Sequence, residues 1–225
     1  MASIKRAQTL NQGQFARLLK ITRATLRYPD RDVLVLMLGH HMGLRVTEIS
    51  RITVADFMLA SGKLRGEMSL RESVTKGCRQ RCAYVATKPL AEALEAYLVY
   101  RVTHGIGTEL GQAKYRGLLP HQPLIYGARG AGLSQNTKCR TLETGERKDY
   151  KACDSLQSHL TKLYKRAGID GSSHSGRRTF ASKVLAHTGS METVAKLLEH
   201  SSIECSQRYV DVNQCVLQAM FADAI

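Results

Sequence analysis

The chain has 225 residues, 43 % of them hydrophobic, enough for one sizeable core or one main domain with a small appendage and too many for a disordered chain. Lys and Arg number 33 against 19 Asp and Glu, a formal net charge of +14; a compact body with that excess draws polyanions by counterion release, nucleic acid foremost, although ribosome-associated and membrane-surface proteins share the feature. No stretch approaches the roughly 20 apolar residues of a membrane span, and MASIKRAQTL lacks the apolar centre and cleavage site of a signal peptide, so the expected location is the cytoplasm.

In chain order, Phe15, Leu18, Leu19, Ile21 and Leu26 predict a helix over Gln14 to Arg27, with Pro29-Asp30 breaking the pattern. A second, almost wholly apolar helix runs from Arg31 to about His41 and ends at Gly43; Arg45 to Arg51 reads as a short helical turn. Strands are predicted near Lys63 to Leu70 and Arg81 to Thr87, with a turn between them. Leu90, Leu94, Tyr97 and Leu98 share one face of a helix from Pro89 to Val102. The stretch from His104 to Lys151 is rich in Gly and basic residues, its clearest feature a hairpin joining Lys138 to Leu142 with Arg147 to Lys151. Further helices are predicted through Leu156 to Tyr164 (ending near Gly168), Ser175 to His187, Met191 to Glu199, Glu204 to Val210 and Gln214 to Ala222. The expected fold class is mainly α with one small antiparallel β-sheet. The six cysteines, Cys78, Cys82, Cys139, Cys153, Cys205 and Cys215, form no C-x-x-C pair, which argues against a zinc knuckle and for free thiols.

Four segments carry basic groups that packing does not require. Arg45, in GLRVTEIS, has Glu48 three residues on; by itself the pair reads as a solvated turn. Lys76, in the Thr75-Lys76-Gly77 turn with Arg79 and Arg81 near by, is by itself a basic hairpin tip. In HSGRRTFAS, His174 and Arg177 lie three apart on one helix face, so an imidazole and a guanidinium can address one oxyanion together. In LLEHSSIECSQRYV, His200 precedes Tyr209 by nine residues; a lone tyrosine of this kind is most often half-buried core.

Together and in this order (Arg, Lys, His-x-x-Arg, His, Tyr), these segments resemble the tyrosine recombinase or phage integrase family, which includes lambda integrase, Cre and the Xer recombinases. The resemblance runs from about Leu10 across almost the whole chain. It implies the tyrosine recombinase catalytic-domain fold, with Arg45 and Arg177 as the pair on the scissile phosphate, Lys76 as the hairpin lysine, His174 and His200 as the two histidines, Tyr209 as the nucleophile and Glu48 as a supporting acid. The chemistry agrees. A phosphodiester under attack gains negative charge on its non-bridging oxygens, and two guanidiniums offer fixed bidentate donors; a lysine suits protonation of a departing 5′ oxygen; a phenol of pKa near 10 needs a base and a positive field. The product is a 3′-phosphotyrosyl enzyme whose ester conserves the bond energy, so no cofactor, ATP or metal is expected.

The resemblance further implies double-stranded DNA with paired recombination sites as partner, a homotetramer on DNA exchanging the tail after Tyr209, accessory DNA-binding proteins, and residence at the bacterial nucleoid. Arg178 stands where many relatives have histidine, and Glu199 where they have glycine. Only about forty residues precede Arg45, too few for the family's N-terminal core-binding domain. The chain is expected to be one catalytic domain over 1–225, either a minimal member like the short recombinases that invert fimbrial promoters or an excised domain, with Met1-Ala2-Ser3 favouring the former. The segment 135–154 is longer than the family requires and is expected to be an extra basic hairpin whose Lys138, Arg140, Arg147, Lys148 and Lys151, with Arg79, Arg81 and Arg178 elsewhere, contact DNA. Two other functions suit the same fold: a non-catalytic DNA-binding regulator, and a topoisomerase-like relaxing enzyme.

Overall fold

The computed structural model describes residues 8–70, 81–127, 130–141 and 145–198, with backbone only for Arg81, Arg140 and Lys148. Helix α1 (Gln12–Thr25) starts at Asn11, whose side-chain oxygen accepts from the Gln14 backbone N–H while the Gln14 side chain accepts from the Asn11 N–H. Helix α2 (Pro29–Met42) begins on the proline that the sequence reading took as a break. Proline is suited to the first helical position, where its missing N–H would have had no partner. Val33 to Leu38 and Met42 are all buried, so α2 is the central rod, packed by α1 and by two later helices, α5 (Lys88–Thr103) and α7 (Ser175–Thr188). It stops at Gly43, which takes φ 62° and sends its N–H back to the Leu38 carbonyl.

Between α2 and α5 lie two one-turn helices, α3 (Val46–Ile49) and α4 (Val54–Phe57), and the antiparallel pair β1 (Glu67–Leu70) and β2 (Arg81–Tyr84). Beyond α5 come β3 (Asn136–Thr141) and β4 (Arg147–Ala152), then α6 (Asp154–Arg166), α7 and α8 (Met191–Leu198). The mainly helical class stands, but the expected single sheet is two separate two-stranded ladders among the described residues, and the strands are shorter at β1 and β2 than expected. The helices expected at Glu204 to Val210 and Gln214 to Ala222 lie outside the described residues. No described helix is long and apolar enough to cross a membrane. Cys82, Cys139 and Cys153 are free thiols.

The crossing of α2 with α7 fixes where the chemistry sits. A Cβ on Gly176 would come within 3.0 Å of the Gly39 carbonyl carbon, so the two backbones touch where both residues lack side chains. Beside this contact the imidazole of His40 stacks on Phe15 and its Nε2 lies 2.9 Å from the Tyr164 hydroxyl of α6. Burial, then the charges of Lys183 and His41, lowers the His40 pKa from 6.5 to about 3; burial likewise lowers that of His41. The His40 ring is thus held neutral in the fold. Its contribution is complete above about pH 6.5, where the unfolded chain is also neutral, and is lost as pH falls toward 3, because only the unfolded chain takes up the proton. We expect the urea-unfolding free energy to fall over that window, with a shallower fall in a His40→Leu/Tyr164→Phe variant that removes the buried pair together.

Candidate active site

Arg45 caps α3 from outside the helix, three residues before Glu48 in the helix itself. This spacing lets one carboxylate hold both ends of the arginine. Glu48 Oε2 accepts from the Arg45 backbone N–H at 2.7 Å, and Oε1 accepts from Arg45 Nη1 at 2.8 Å. Glu48 has no exposed surface, and the Arg45 side chain keeps 18 %. The pair is therefore a partly buried anchor, unlike the solvated turn that the spacing alone permits.

Arg177 arrives from α7. It lies in the first turn, one turn beyond His174 at the N-cap, and is 1 % exposed. Its Nη1 donates to the Gly43 carbonyl and lies 4.0 Å from Glu48 Oε2; its Nη2 donates to the Leu198 carbonyl at 2.5 Å. Arg45 Nη2 donates to that same carbonyl at 3.3 Å. Two guanidiniums 132 positions apart in sequence thus converge on one oxygen and one carboxylate. That is the donor set an anion with several oxygens requires. His174 is exposed at the same helix end.

The three remaining candidates, Lys76, His200 and Tyr209, lie outside the described residues, as does Arg79. Leu198, the last described residue of α8, precedes His200 by two. Arg178, next to Arg177 in the first turn of α7, is likewise buried, at 4 % exposure. The carbonyls of Gly43 and Leu198 were invisible to sequence reasoning, since any residue carries a carbonyl; the glycine closing α2 was the one available signal.

The hairpin of β3 and β4 stands next to this site. Gln135 Nε2 donates to Ser50 Oγ at 2.7 Å, tying its base to the end of α3. The register sets Arg140 opposite Lys148 and Thr141 opposite Arg147, so the distal half of the ladder concentrates positive residues. Lys138, Arg147 and Lys151 are exposed, with Lys138 paired to Asp154 at 2.6 Å and Lys151 donating to Thr137 Oγ1. Among the described residues no group of three His, Cys, Asp or Glu side chains is placed to hold a metal ion.

Removing the shared carboxylate leaves two largely desolvated guanidiniums without their counter-charge. Glu48→Ala should therefore lower the unfolding free energy by about 3 kcal/mol, read by urea denaturation, and Glu48→Gln by less, because the amide oxygen still accepts.

The profile of the phage integrase family matches residues 8–215. A tyrosine recombinase XerC of Rhizobium meliloti (strain 1021) is 28 % identical over 193 residues, a span that covers 85 % of this chain and 48 % of that protein. Among solved structures, XerA recombinase superposes with a TM-score of 0.67 at 18 % identity, over 99 % of this chain and 66 % of that one. XerH site-specific recombinase bound to palindromic difH substrate in a post-cleavage complex does so with a TM-score of 0.65 at 16 % identity, over 98 % of this chain and 54 % of that one. The chain thus spans about half the length of the XerC relative. With a family profile running over nearly its whole length, this chain belongs to the phage integrase family.

Proposed function

We propose that this chain is a site-specific DNA recombinase that cuts and rejoins strands through a covalent link to Tyr209. The observation that carries the reading is the convergence of Arg45 and Arg177 on a single oxygen position. In the proposed reaction a scissile phosphate presents its non-bridging oxygens to these guanidiniums. The Tyr209 phenol oxygen attacks phosphorus and the bond to the 5′ oxygen breaks; Lys76 delivers a proton to that oxygen, and His174 receives the proton of the phenol. His200 hydrogen-bonds the phosphate, and Glu48 keeps Arg45 oriented. The phosphodiester carries one negative charge from the start and its non-bridging oxygens gain more in the transition state, so the fixed arginines stabilise the transition state more than the bound substrate. Attack by a 5′ hydroxyl of another strand on the phosphotyrosine reverses the step and completes exchange.

Double-stranded DNA with paired sites is the proposed substrate, and copies of the chain are proposed to assemble on it as a tetramer with accessory DNA-binding proteins. Supporting this, the related XerH structure holds a palindromic substrate, whose symmetry suits paired copies. The chain is proposed to act as a single catalytic domain over 1–225, at the bacterial nucleoid. Lys138, Arg140, Arg147, Lys148 and Lys151 of the β3–β4 hairpin, with Arg79 and Arg81, are proposed to contact the DNA backbone.

A nicked suicide duplex carrying the recombination site should yield a denaturant-resistant protein–DNA adduct with the natural chain and none with Tyr209→Phe. Arg177→Lys, checked for native circular dichroism, should slow adduct formation by about 100-fold; an adduct that persists in Tyr209→Phe would overturn the proposal. Separately, neutralising the five hairpin cations should make the plot of log binding constant against log salt shallower, by about 0.9 for each lost phosphate contact.

A further inference from the structure

A cavity of about 390 Å³ opens where the chain enters α2, lined by Arg27, Tyr28 and Arg31 on one side and by Tyr97, Tyr100 and His104 of α5 and its end on the other, with Tyr126 beneath. Four of the nine tyrosines of the chain meet there, and among the described residues no carboxylate lines it. Tyr97 and Tyr100 are nearly parallel, at 13°, and the His104 ring lies 4.1 Å from that of Tyr100. The guanidiniums of Arg27 and Arg31 sit 5.3 and 4.8 Å from the Tyr28 ring centre.

The two arginines differ. Arg31 is committed to structure, paired with Asp32 at 2.8 Å and donating to the Tyr126 carbonyl. Arg27 is exposed and lines the groove, with no ion pair to a carboxylate among the described residues. Behind Tyr126 stands Arg101, fully buried, its guanidinium 4.6 Å from the ring centre and its Nη2 without a hydrogen-bond partner. A ring backed by a cation is electron-poor and favours an electron-rich planar partner on the groove side. The volume falls within the roughly 300–1,000 Å³ of small-ligand sites. Helix α2 has 14 residues, so this cavity and Arg45 are separated by about 20 Å of helix.

We infer that this groove binds a nucleobase carrying a phosphate, the base stacked against Tyr100 and the phosphate on Arg27. Of the four rings Tyr97 and Tyr126 are buried, while Tyr28 and Tyr100 are half-buried; an acyclic anion would leave the latter two unused, and a neutral aromatic would leave Arg27 unused. The shared chemistry has two sources, a free nucleotide and an unpaired nucleotide of a DNA strand, and the site is independent of the catalytic reading above.

The test is equilibrium dialysis with the full chain carrying Tyr209→Phe, using dAMP, deoxyadenosine, inorganic phosphate and a short single-stranded oligonucleotide. Tyr100→Ala leaves the net charge unchanged and should weaken dAMP or oligonucleotide binding about tenfold, whereas Tyr100→Phe should retain it. Arg27→Ala should weaken dAMP but leave deoxyadenosine unaffected. Saturable dAMP binding identifies the free nucleotide as source; Tyr100-dependent binding of the oligonucleotide alone identifies the strand. Inorganic phosphate binding as well as dAMP, or affinities of both ligands unmoved by Tyr100→Ala, would overturn the inference.

Discussion

Everything at the candidate site depends on the contact of α2 with α7 at Gly39 and Gly176. Because neither residue has a side chain there, the helix backbones meet directly, and the first turn of α7 is delivered to the end of α2. Arg177 then reaches the Gly43 carbonyl, two residues from Arg45. A bulkier residue at Gly176, whose Cβ would already lie 3.0 Å from the Gly39 carbonyl carbon, would part the helices and carry one guanidinium away from the other, whereas a Cβ on Gly39 would meet the Gly176 Cα at an ordinary 3.8 Å. The left-handed turn at Gly43 is constrained as tightly, since a Cβ would lie 2.6 Å from Phe180 and 3.1 Å from Leu198.

Glu48 is the electrostatic counterpart of that steric constraint. Two guanidiniums brought together in a region closed to water repel each other unless an anion is shared. Glu48, fully buried, lies 2.8 Å from Arg45 and 4.0 Å from Arg177. The α3 turn that carries it also touches the basic hairpin through Ser50 and Gln135, so one short element links the two arginines to the surface proposed to grip DNA.

Much of this was legible in the sequence where the signal was periodic. Helices α1, α2, α5, α6, α7 and α8 followed from apolar spacing, and the β3–β4 hairpin from the turn at Gly145. What escaped was short or tertiary. Helix α4 spans one turn, too little for a period to register, and is set by Asp56 accepting from the Thr53 N–H. The segment from His104 to Gln135 is shaped by distant pairings such as Thr53 with Pro123 and by the three carbonyls that receive the buried Arg101, none of which follows from local pattern. Pro29 was read as a stop because a proline marks the edge of a helix without saying which side. At the site, order and residue type singled out Arg45, Glu48 and Arg177, which the fold brings together, whereas the burial of Arg178 beside them was not readable from a basic pair at the head of a helix.

The carbonyl of Leu198 holds a position with a thermodynamic implication. By accepting from both guanidiniums it already stands where a charged oxygen would be most strongly attracted, and it has displaced their hydration as the chain folded. An anion entering this place exchanges with a neutral dipole instead of stripping two water shells. The entry step is thus an exchange of one acceptor for a stronger one, and its driving force is the difference between a carbonyl and a full negative charge in a medium that screens poorly.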